Sequence, residues 1–320
     1  MSPAAVDLHV ELLGLSFASP VLAASGTFGY GAELAPLCDL SRLGGIVTKG
    51  ISLQPRAGNP PPRICETAAG MLNSIGLANV GAEAFLRDKL PFLRGCGARV
   101  VVNFFGESAD EYARCAERLS APGVDALEMN ISCPNVDAGG LEFGVDPDVA
   151  GRLVERVRGC TRLPLVVKLT PNVTDIVPVA RACVEAGCSA LSLINTLKGM
   201  AIDAQSRRPR LARVFGGLSG PAIKPVALRL VYQLAQARLG VPLIGIGGIA
   251  SGEDAAEFLL AGAALVQVGT ASFARPDAAA RVAAELEELC RAQGVAAARE
   301  LSGALRVDAA AAPGAGARPR

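Results

Sequence analysis

The sequence predicts an α/β protein folded as a (β/α)8 TIM barrel. Short apolar runs rich in Val, Ile and Leu recur along the chain, helix-start signals fall between them, and 320 residues suits one such barrel. The eight predicted strands are residues 20–24, 45–49, 99–104, 126–130, 165–169, 190–195, 243–247 and 265–269.

The chain ahead of the first predicted barrel strand alternates apolar and polar residues from Val6 to Leu12. This period of two predicts an N-terminal β-hairpin. His9, the one histidine of the sequence, lies in this segment, and we assign it a structural role. Proton transfer near neutral pH must therefore use a cysteine, a lysine or a carboxylate.

Three helix starts carry capping signals. A serine followed three residues later by an acidic residue predicts a capping box, and an Asp-Pro pair places proline at the first helical position. The pairs are Ser108 with Glu111, Ser251 with Asp254, and Asp146 with Pro147.

Two connections are too long for plain strand-to-helix loops. Residues 51–80 and 198–220 are rich in Gly, Pro, Asn and Arg, and we expect them to be functional insertions near the active-site face. Residues 1–306 are predicted to form a single domain. Residues 307–320, rich in Ala, Gly, Pro and Arg, are predicted to be a disordered C-terminal tail.

Composition narrows the classes of function. The formal net charge is +1, which favours no nucleic-acid partner. The nine cysteines form no C-x-x-C pair, which argues against a zinc site or an iron–sulfur cluster held by this chain alone. An odd cysteine count without a signal peptide indicates a reducing cytoplasm, and no apolar run is long enough to span a membrane.

Glycines follow the last two predicted strands. In a barrel, the loops after strands seven and eight form a phosphate site, and Gly247-Gly248 and Gly269-Thr270 would let backbone N–H groups approach a phosphate. Residues 245–250 also fit the G-x-G-x-x-A pattern of a doubly wound dinucleotide-binding sheet. That pattern normally opens its fold, so we prefer the phosphate-cup interpretation. Glycines kept only for tight turns are the simpler alternative.

Two of the five lysines, Lys49 and Lys168, fall within apolar predicted strands. A buried ammonium is costly unless an anion meets it, so these lysines indicate an anionic ligand such as a phosphate, a carboxylate or a reduced flavin. A group of asparagines suits an uncharged ring with alternating amide N–H and C=O groups, such as a pyrimidine. They are Asn73, Asn130, Asn135 and Asn195.

One cysteine, Cys133, lies in the stretch Asn-Ile-Ser-Cys-Pro-Asn of residues 130–135. Pro134 prevents a helix from starting at Cys133, so the thiol is expected on a loop just beyond the fourth strand. Active sites of parallel α/β proteins lie at such strand ends. We therefore predict that Cys133 is a catalytic acid or base.

With these motifs taken in order, the sequence resembles the class 1 dihydroorotate dehydrogenases over about residues 6–290. No single motif decides the resemblance, but the ordered set is specific. The matching segments are residues 24–27, 48–50, 58–63, 70–77, 130–135, 168–172, 194–196, 216–220 and 247–249.

The resemblance implies an FMN-dependent oxidation of (S)-dihydroorotate to orotate in pyrimidine synthesis, with Cys133 as the general base. It implies FMN contacts from Ser25, Lys49, Asn103, Asn130, Lys168, Ile194, Gly220, Gly247, Gly248, Gly269 and Thr270. It implies substrate contacts from Lys49, Asn73, Ser74, Ile75, Gly76, Leu77, Asn130, Asn195 and Thr196.

Within class 1, residues 135–144 and 199–203 look more like type 1B. That resemblance implies a homodimer within a heterotetramer, whose second subunit carries FAD and a [2Fe–2S] cluster and passes electrons to NAD⁺. The membrane-bound class 2 enzymes have serine where Cys133 stands and an N-terminal membrane extension, and this sequence shows neither feature.

Three alternatives stay open from the sequence. One is a fumarate-linked class 1A enzyme, and another is a different FMN-dependent pyrimidine oxidoreductase, such as a dihydropyrimidine or dihydrouridine reductase. The third is a barrel without catalysis that binds a phosphorylated ligand or serves as a scaffold. The absence of excess basic charge disfavours a tRNA substrate.

Overall fold

A computed structural model of the chain describes residues 6–132, 134–135 and 141–308. Within these residues, eight parallel strands close into a barrel. The strands in chain order are β1 (Val10–Leu12), β2 (Leu15–Phe17), β3 (Val21–Ala23), β4 (Gly45–Val47), β5 (Ile64–Thr67), β6 (Gly70–Asn73), β7 (Arg99–Phe104), β8 (Ala126–Asn130), β9 (Pro134–Asn135), β10 (Leu141–Glu142), β11 (Leu165–Leu169), β12 (Ala190–Leu193), β13 (Leu197–Met200), β14 (Ile202–Asp203), β15 (Arg208–Pro209), β16 (Phe215–Ser219), β17 (Leu243–Ile246) and β18 (Ala263–Val268).

The barrel runs in the order β3, β4, β7, β8, β11, β12, β17 and β18, and β18 pairs back with β3. Each predicted strand segment overlaps one of these strands, and β18 begins two residues before its predicted segment, so the predicted barrel is confirmed. The second strand is shorter than predicted because it ends at Val47, which leaves Lys49 two residues beyond it. The doubly wound sheet is excluded, and its G-x-G-x-x-A pattern falls at the end of β17.

Helices surround the barrel and begin largely where the capping signals predict. Ser251 and Asp254 form a complete capping box, and Pro147 opens its helix behind the cap Asp146. The box at Ser108 is only half formed, because Glu111 accepts from the N–H of Glu107 instead of Ser108. The helices are α1 (Ala82–Ala84), α2 (Leu90–Arg94), α3 (Ala109–Leu119), α4 (Pro147–Arg158), α5 (Val177–Glu185), α6 (Lys224–Ala237), α7 (Gly252–Leu260), α8 (Ala271–Ala274) and α9 (Ala278–Ala292), with a π-helical turn at Phe85–Lys89.

The predicted N-terminal hairpin is present and closes one end of the barrel. β1 and β2 pair antiparallel, and their side chains Val10 and Phe17 belong to the same buried cluster as the lowest inward-facing residues of the barrel. Those barrel residues are Leu22, Val47, Val101, Ala126, Val166, Ala190, Ile244 and Leu265. The amino-terminal half of the barrel interior is therefore apolar and filled, which leaves the opposite rim for a ligand.

The two long insertions contain strands that pair with each other. β5 and β6 come from the first insertion and β13 and β16 from the second, and together they form a four-stranded antiparallel sheet in the order β13-β16-β6-β5. Asn73 lies opposite Gly217 in this sheet, so residues far apart in sequence meet beside the rim. The sequence predicted the insertions but not their pairing. No helix among the described residues is long and apolar enough to cross a bilayer.

Candidate active site

Most of the predicted site residues lie at the carboxyl ends of the barrel strands. Ser25 follows β3, Asn130 ends β8, Lys168 lies in β11 and Ile194 follows β12. Because all eight strands are parallel, these ends meet at one rim. The structure therefore places polar groups around the mouth of the barrel, above its apolar filling.

The glycines predicted to bind phosphate converge at this rim. A Cβ added at Gly248 would lie 2.9 Å from the carbonyl oxygen of Gly220, and one added at Gly220 would lie 3.5 Å from Cγ2 of Thr270. Gly248 has φ of +74° and Gly220 of +96°, conformations that favour glycine. Among the described residues, the backbone N–H groups of Gly248 and Thr270 have no acceptor, which is what a phosphate group requires.

A buried polar group that the sequence analysis missed lies below the rim. Glu128 on β8 is fully buried and accepts hydrogen bonds from Nδ2 of Asn103 at 2.8 Å and from Nε2 of Gln267 at 2.7 Å. Asn103 is itself only 3% exposed. An acidic residue inside an otherwise apolar strand was the available signal, of the same kind that singled out Lys168.

Lys168 is 6% exposed, and its Nζ lies 3.1 Å from Oγ of Ser25 and 3.9 Å from Oε1 of Glu128. Glu128 already provides a negative charge near Lys168, so the burial of this lysine does not by itself require an anionic ligand, contrary to the prediction from the sequence. Lys168 therefore indicates an anionic ligand less strongly than the sequence suggested. Its only hydrogen-bond acceptor among the described residues is Oγ of Ser25, so its ammonium group can still donate to a ligand.

Lys49 has a different environment. It is half-buried, and no carboxylate among the described residues lies within ion-pair distance of it. Burial lowers the pKa of Lys49, the positive charge of Arg63 lowers it further, and Glu33 opposes these effects. Nε of Arg63 is buried and has no hydrogen-bond partner among the described residues. Two neighbouring cations of this kind favour an anionic ligand, and the sequence analysis assigned no role to Arg63.

The predicted amide and hydroxyl groups form a connected series along the rim. Nδ2 of Asn195 donates to Oδ1 of Asn130 at 3.0 Å, and Oδ1 of Asn195 accepts from the N–H of Thr196 at 2.8 Å. A Cβ on Gly217 would lie 2.1 Å from Oγ1 of Thr196, and the carbonyl of Gly217 accepts from Nδ2 of Asn73 at 3.2 Å. These side chains are therefore linked by contacts along one rim and do not belong to separate turns.

The segment from Ser74 to Leu77 is held beside this series. Nδ2 of Asn59 donates to the carbonyl of Ser74 at 3.0 Å and to its Oγ at 3.1 Å. Gly76 and Leu77 both have positive φ, which turns the chain sharply between Ile75 and the next helix. Asn59 therefore links the two parts of the first insertion.

The predicted acid or base, Cys133, lies outside the described residues, and so do the side chain of Asn135 and the tail from residue 309. The chain leading to Cys133 is well fixed. Ile131 is fully buried, the N–H of Ser132 donates to Oδ1 of Asn130 at 3.1 Å, and the hydroxyl of Tyr112 donates to the carbonyl of Asn130. Strand β8 thus ends at the same rim, with residues 130–132 held in place.

The fold and this rim define a (β/α)8-barrel enzyme whose candidate site combines converging glycines, two buried or half-buried lysines and a series of carboxamides. The sequence profile described as dihydroorotate dehydrogenase matches residues 7–290. The chain belongs to the dihydroorotate dehydrogenase family. This membership confirms both the family that the sequence resembles and the predicted activity, the oxidation of dihydroorotate.

Two curated relatives are named dihydroorotate dehydrogenase B (NAD(+)), catalytic subunit. The Geotalea daltonii protein is 57% identical over 302 residues, which are 94% of this chain and 99% of the relative. The Geobacter sulfurreducens protein is 58% identical over the same length and shares of each chain. A solved structure of the dihydroorotate dehydrogenase of Eimeria tenella in complex with ferulenol has a TM-score of 0.78 at 24% identity, covers 93% of this chain and 88% of its own, and supports the fold.

Proposed function

We propose that this chain is the catalytic subunit of an NAD-linked dihydroorotate dehydrogenase that binds FMN and converts (S)-dihydroorotate to orotate in de novo pyrimidine synthesis in the cytoplasm. The observation that carries the proposal is the convergence of the phosphate cup, Lys168 and the carboxamide series at one barrel rim. The names of the relatives support the NAD-linked form over the fumarate-linked alternative.

The rim fits the chemistry of FMN. The N–H groups of Gly248 and Thr270, which have no acceptor among the described residues, suit its phosphate, and we propose that Gly220, Gly247 and Gly269 line the same cup. Lys168 would favour negative charge on the reduced ring, as fixed cations do for developing anions. Ser25, Lys49, Asn103, Asn130 and Ile194 complete the proposed FMN contacts. Bound FMN would supply the acceptor for hydride from the substrate.

The substrate is an anion with a ring of amide groups. We propose that Lys49 binds its carboxylate, because Lys49 and Arg63 place positive charge next to the inserted sheet. Asn73, Asn130, Asn195 and Thr196 offer the donors and acceptors that the ring requires. Ser74, Ile75, Gly76 and Leu77 would form the wall that covers the ring.

Cys133 is the proposed general base. Its thiolate would take the proton from C5 of dihydroorotate while hydride leaves C6, and the electron pair of the C5–H bond would form the C5=C6 double bond of orotate. The well-fixed backbone of Asn130 to Ser132 supports this role because a base must be positioned before it can act.

We further propose that the chain forms a homodimer within a heterotetramer. The second subunit would carry FAD and a [2Fe–2S] cluster and deliver electrons to NAD⁺. The words "catalytic subunit" in the names of the relatives support a separate partner subunit.

The proposed function is tested by mixing the FMN-loaded protein with dihydroorotate without oxygen. We expect the yellow colour to bleach with dihydroorotate but not with dihydrouracil, because Lys49 would have no carboxylate to bind. Reoxidation should then be fast with NAD⁺ only when the partner subunit is present, and slow with fumarate. Bleaching by dihydrouracil alone, or a protein that binds no FMN, would contradict the proposal.

Thiol labelling offers a separate prediction about Cys133. Iodoacetamide at about pH 8 should alkylate Cys133, and orotate should protect it, because only exposed thiols with accessible thiolate react. Cys38, Cys115, Cys183, Cys188 and Cys290 are buried, and burial raises the pKa of Cys188 to about 12, so these thiols should stay unlabelled. The half-buried Cys160 is the internal control, and peptide mass spectrometry should show its labelling unchanged by orotate.

A further inference from the structure

The most unusual group that the proposed mechanism leaves unused is the carboxylate of Glu128. It is fully buried at the middle of the barrel, between the apolar filling below and the rim above. A carboxylate in such a place is expensive unless hydrogen bonds and an opposite charge compensate it. The groups that contact the Glu128 carboxylate therefore indicate its role.

Three partners from three other strands meet at Glu128. Asn103 on β7 donates to Oε1 at 2.8 Å, and Gln267 on β18 donates to Oε2 at 2.7 Å. Nζ of Lys168 on β11 lies 3.9 Å from Oε1. The neutral amides fix the carboxylate without cancelling its charge, so the charge acts mainly on Lys168.

Glu128 attracts Lys168 but does not occupy the hydrogen-bond donors of its ammonium group. The separation of 3.9 Å from Glu128 is beyond hydrogen-bond range, and Oγ of Ser25 at 3.1 Å takes one N–H. An ammonium group has three donors. Among the described residues, two donors of Lys168 are thus left for a ligand at the rim.

We propose that Glu128 is a positioning residue that orients Lys168 and partly offsets its charge, and thereby keeps the reduction potential of the bound flavin lower than Lys168 alone would set it. The inference rests on the proposed binding of FMN beside Lys168. A nearby positive charge stabilises the reduced, more negative flavin, and a negative charge behind it opposes that effect. A lower potential favours onward transfer of electrons to an acceptor.

The test is a redox titration of FMN-loaded Glu128→Gln, which removes the charge at nearly constant shape. Oε1 of Gln267 has no partner among the described residues, so rotation of this amide would let it accept from the new NH₂ group. We expect the flavin potential to become more positive. Lys168→Met should move it in the opposite direction, and the exposed Glu155→Gln on α4 should leave it unchanged.

An unchanged or more negative potential in Glu128→Gln would overturn the proposal and would show that Glu128 is merely structural. If that variant does not fold, Gln267→Met serves instead. This substitution removes one of the two amide hydrogen bonds that stabilise the charged carboxylate, so Glu128 should offset the charge of Lys168 less and the flavin potential should rise; an unchanged potential would overturn the proposal. Failure of the unmodified protein to bind FMN would instead refute the proposed function.

Discussion

In the Cys133→Ser variant, dihydroorotate should reduce the bound flavin about 10²-fold to 10⁴-fold more slowly than in the unmodified protein. This is the range that a positioned general base contributes. A serine hydroxyl is a far weaker acid than a thiol, so it supplies almost no anionic base near neutral pH. A free cysteine thiol titrates at about pH 8.5. The rate of the unmodified protein should therefore rise with pH as thiolate forms, and the variant should lose this dependence.

Anaerobic stopped-flow measurement of flavin bleaching follows this step without the partner subunit. The variant should keep its FMN and its affinity for orotate, because neither depends on the proton. Cys160→Ser, which changes a half-buried thiol at the end of α4, is the matched control and should reduce at the normal rate. A rate for Cys133→Ser within about threefold of the unmodified protein would remove Cys133 from the role of base.

The barrel was predictable because its signals are local. Each strand is a short apolar run, and Ser251 with Asp254 or Asp146 with Pro147 marks a helix start within four residues. Parallel strands then place their carboxyl ends at one rim whatever the loops do. This rule alone predicts that Ser25, Asn130 and Lys168 lie at the same rim.

The parts of the site that the sequence did not predict depend on contacts between distant residues. Gln267 and Glu128 are 139 positions apart, and Asn73 and Gly217 are 144 apart. The closure of the barrel decides the first contact, and the register of the inserted sheet decides the second. Neither contact leaves a periodic pattern in the chain, so the sequence predicts no role for Glu128 although this residue interrupts an apolar strand.

The two lysines show how tertiary context changes an electrostatic argument. In the sequence, Lys49 and Lys168 look alike, since each falls in or at the end of a short, largely apolar run. In the structure, Lys168 has Glu128 nearby, whereas Lys49 is next to the cation Arg63. The structure therefore strengthens the case that Lys49 binds an anion and weakens the same case for Lys168.

Lys49→Ala should raise the dissociation constant for orotate about 10-fold to 100-fold, the loss expected when a hydrogen bond to a charged group worth about 1.5–3 kcal/mol is removed. The effect should be specific to ligands with a carboxylate, so the weak binding of uracil should hardly change. Lys89→Ala, which removes a lysine packed over the ring of Tyr30, controls for a general loss of positive charge. Equilibrium titration of the flavin absorbance with orotate measures all three proteins.

The pH dependence of binding provides the sharper test of Lys49. Burial, followed by the charge of Arg63, lowers the pKa of Lys49 below the ordinary lysine value of 10.5. A lysine with a lowered pKa loses its proton at a lower pH, so orotate affinity should be complete near neutral pH and decline as pH rises, before an ordinary lysine would titrate. Lys49→Arg keeps its charge throughout this range and should bind orotate without that decline. An identical alkaline profile in Lys49→Arg and the unmodified protein would show that another group, and not Lys49, binds the carboxylate.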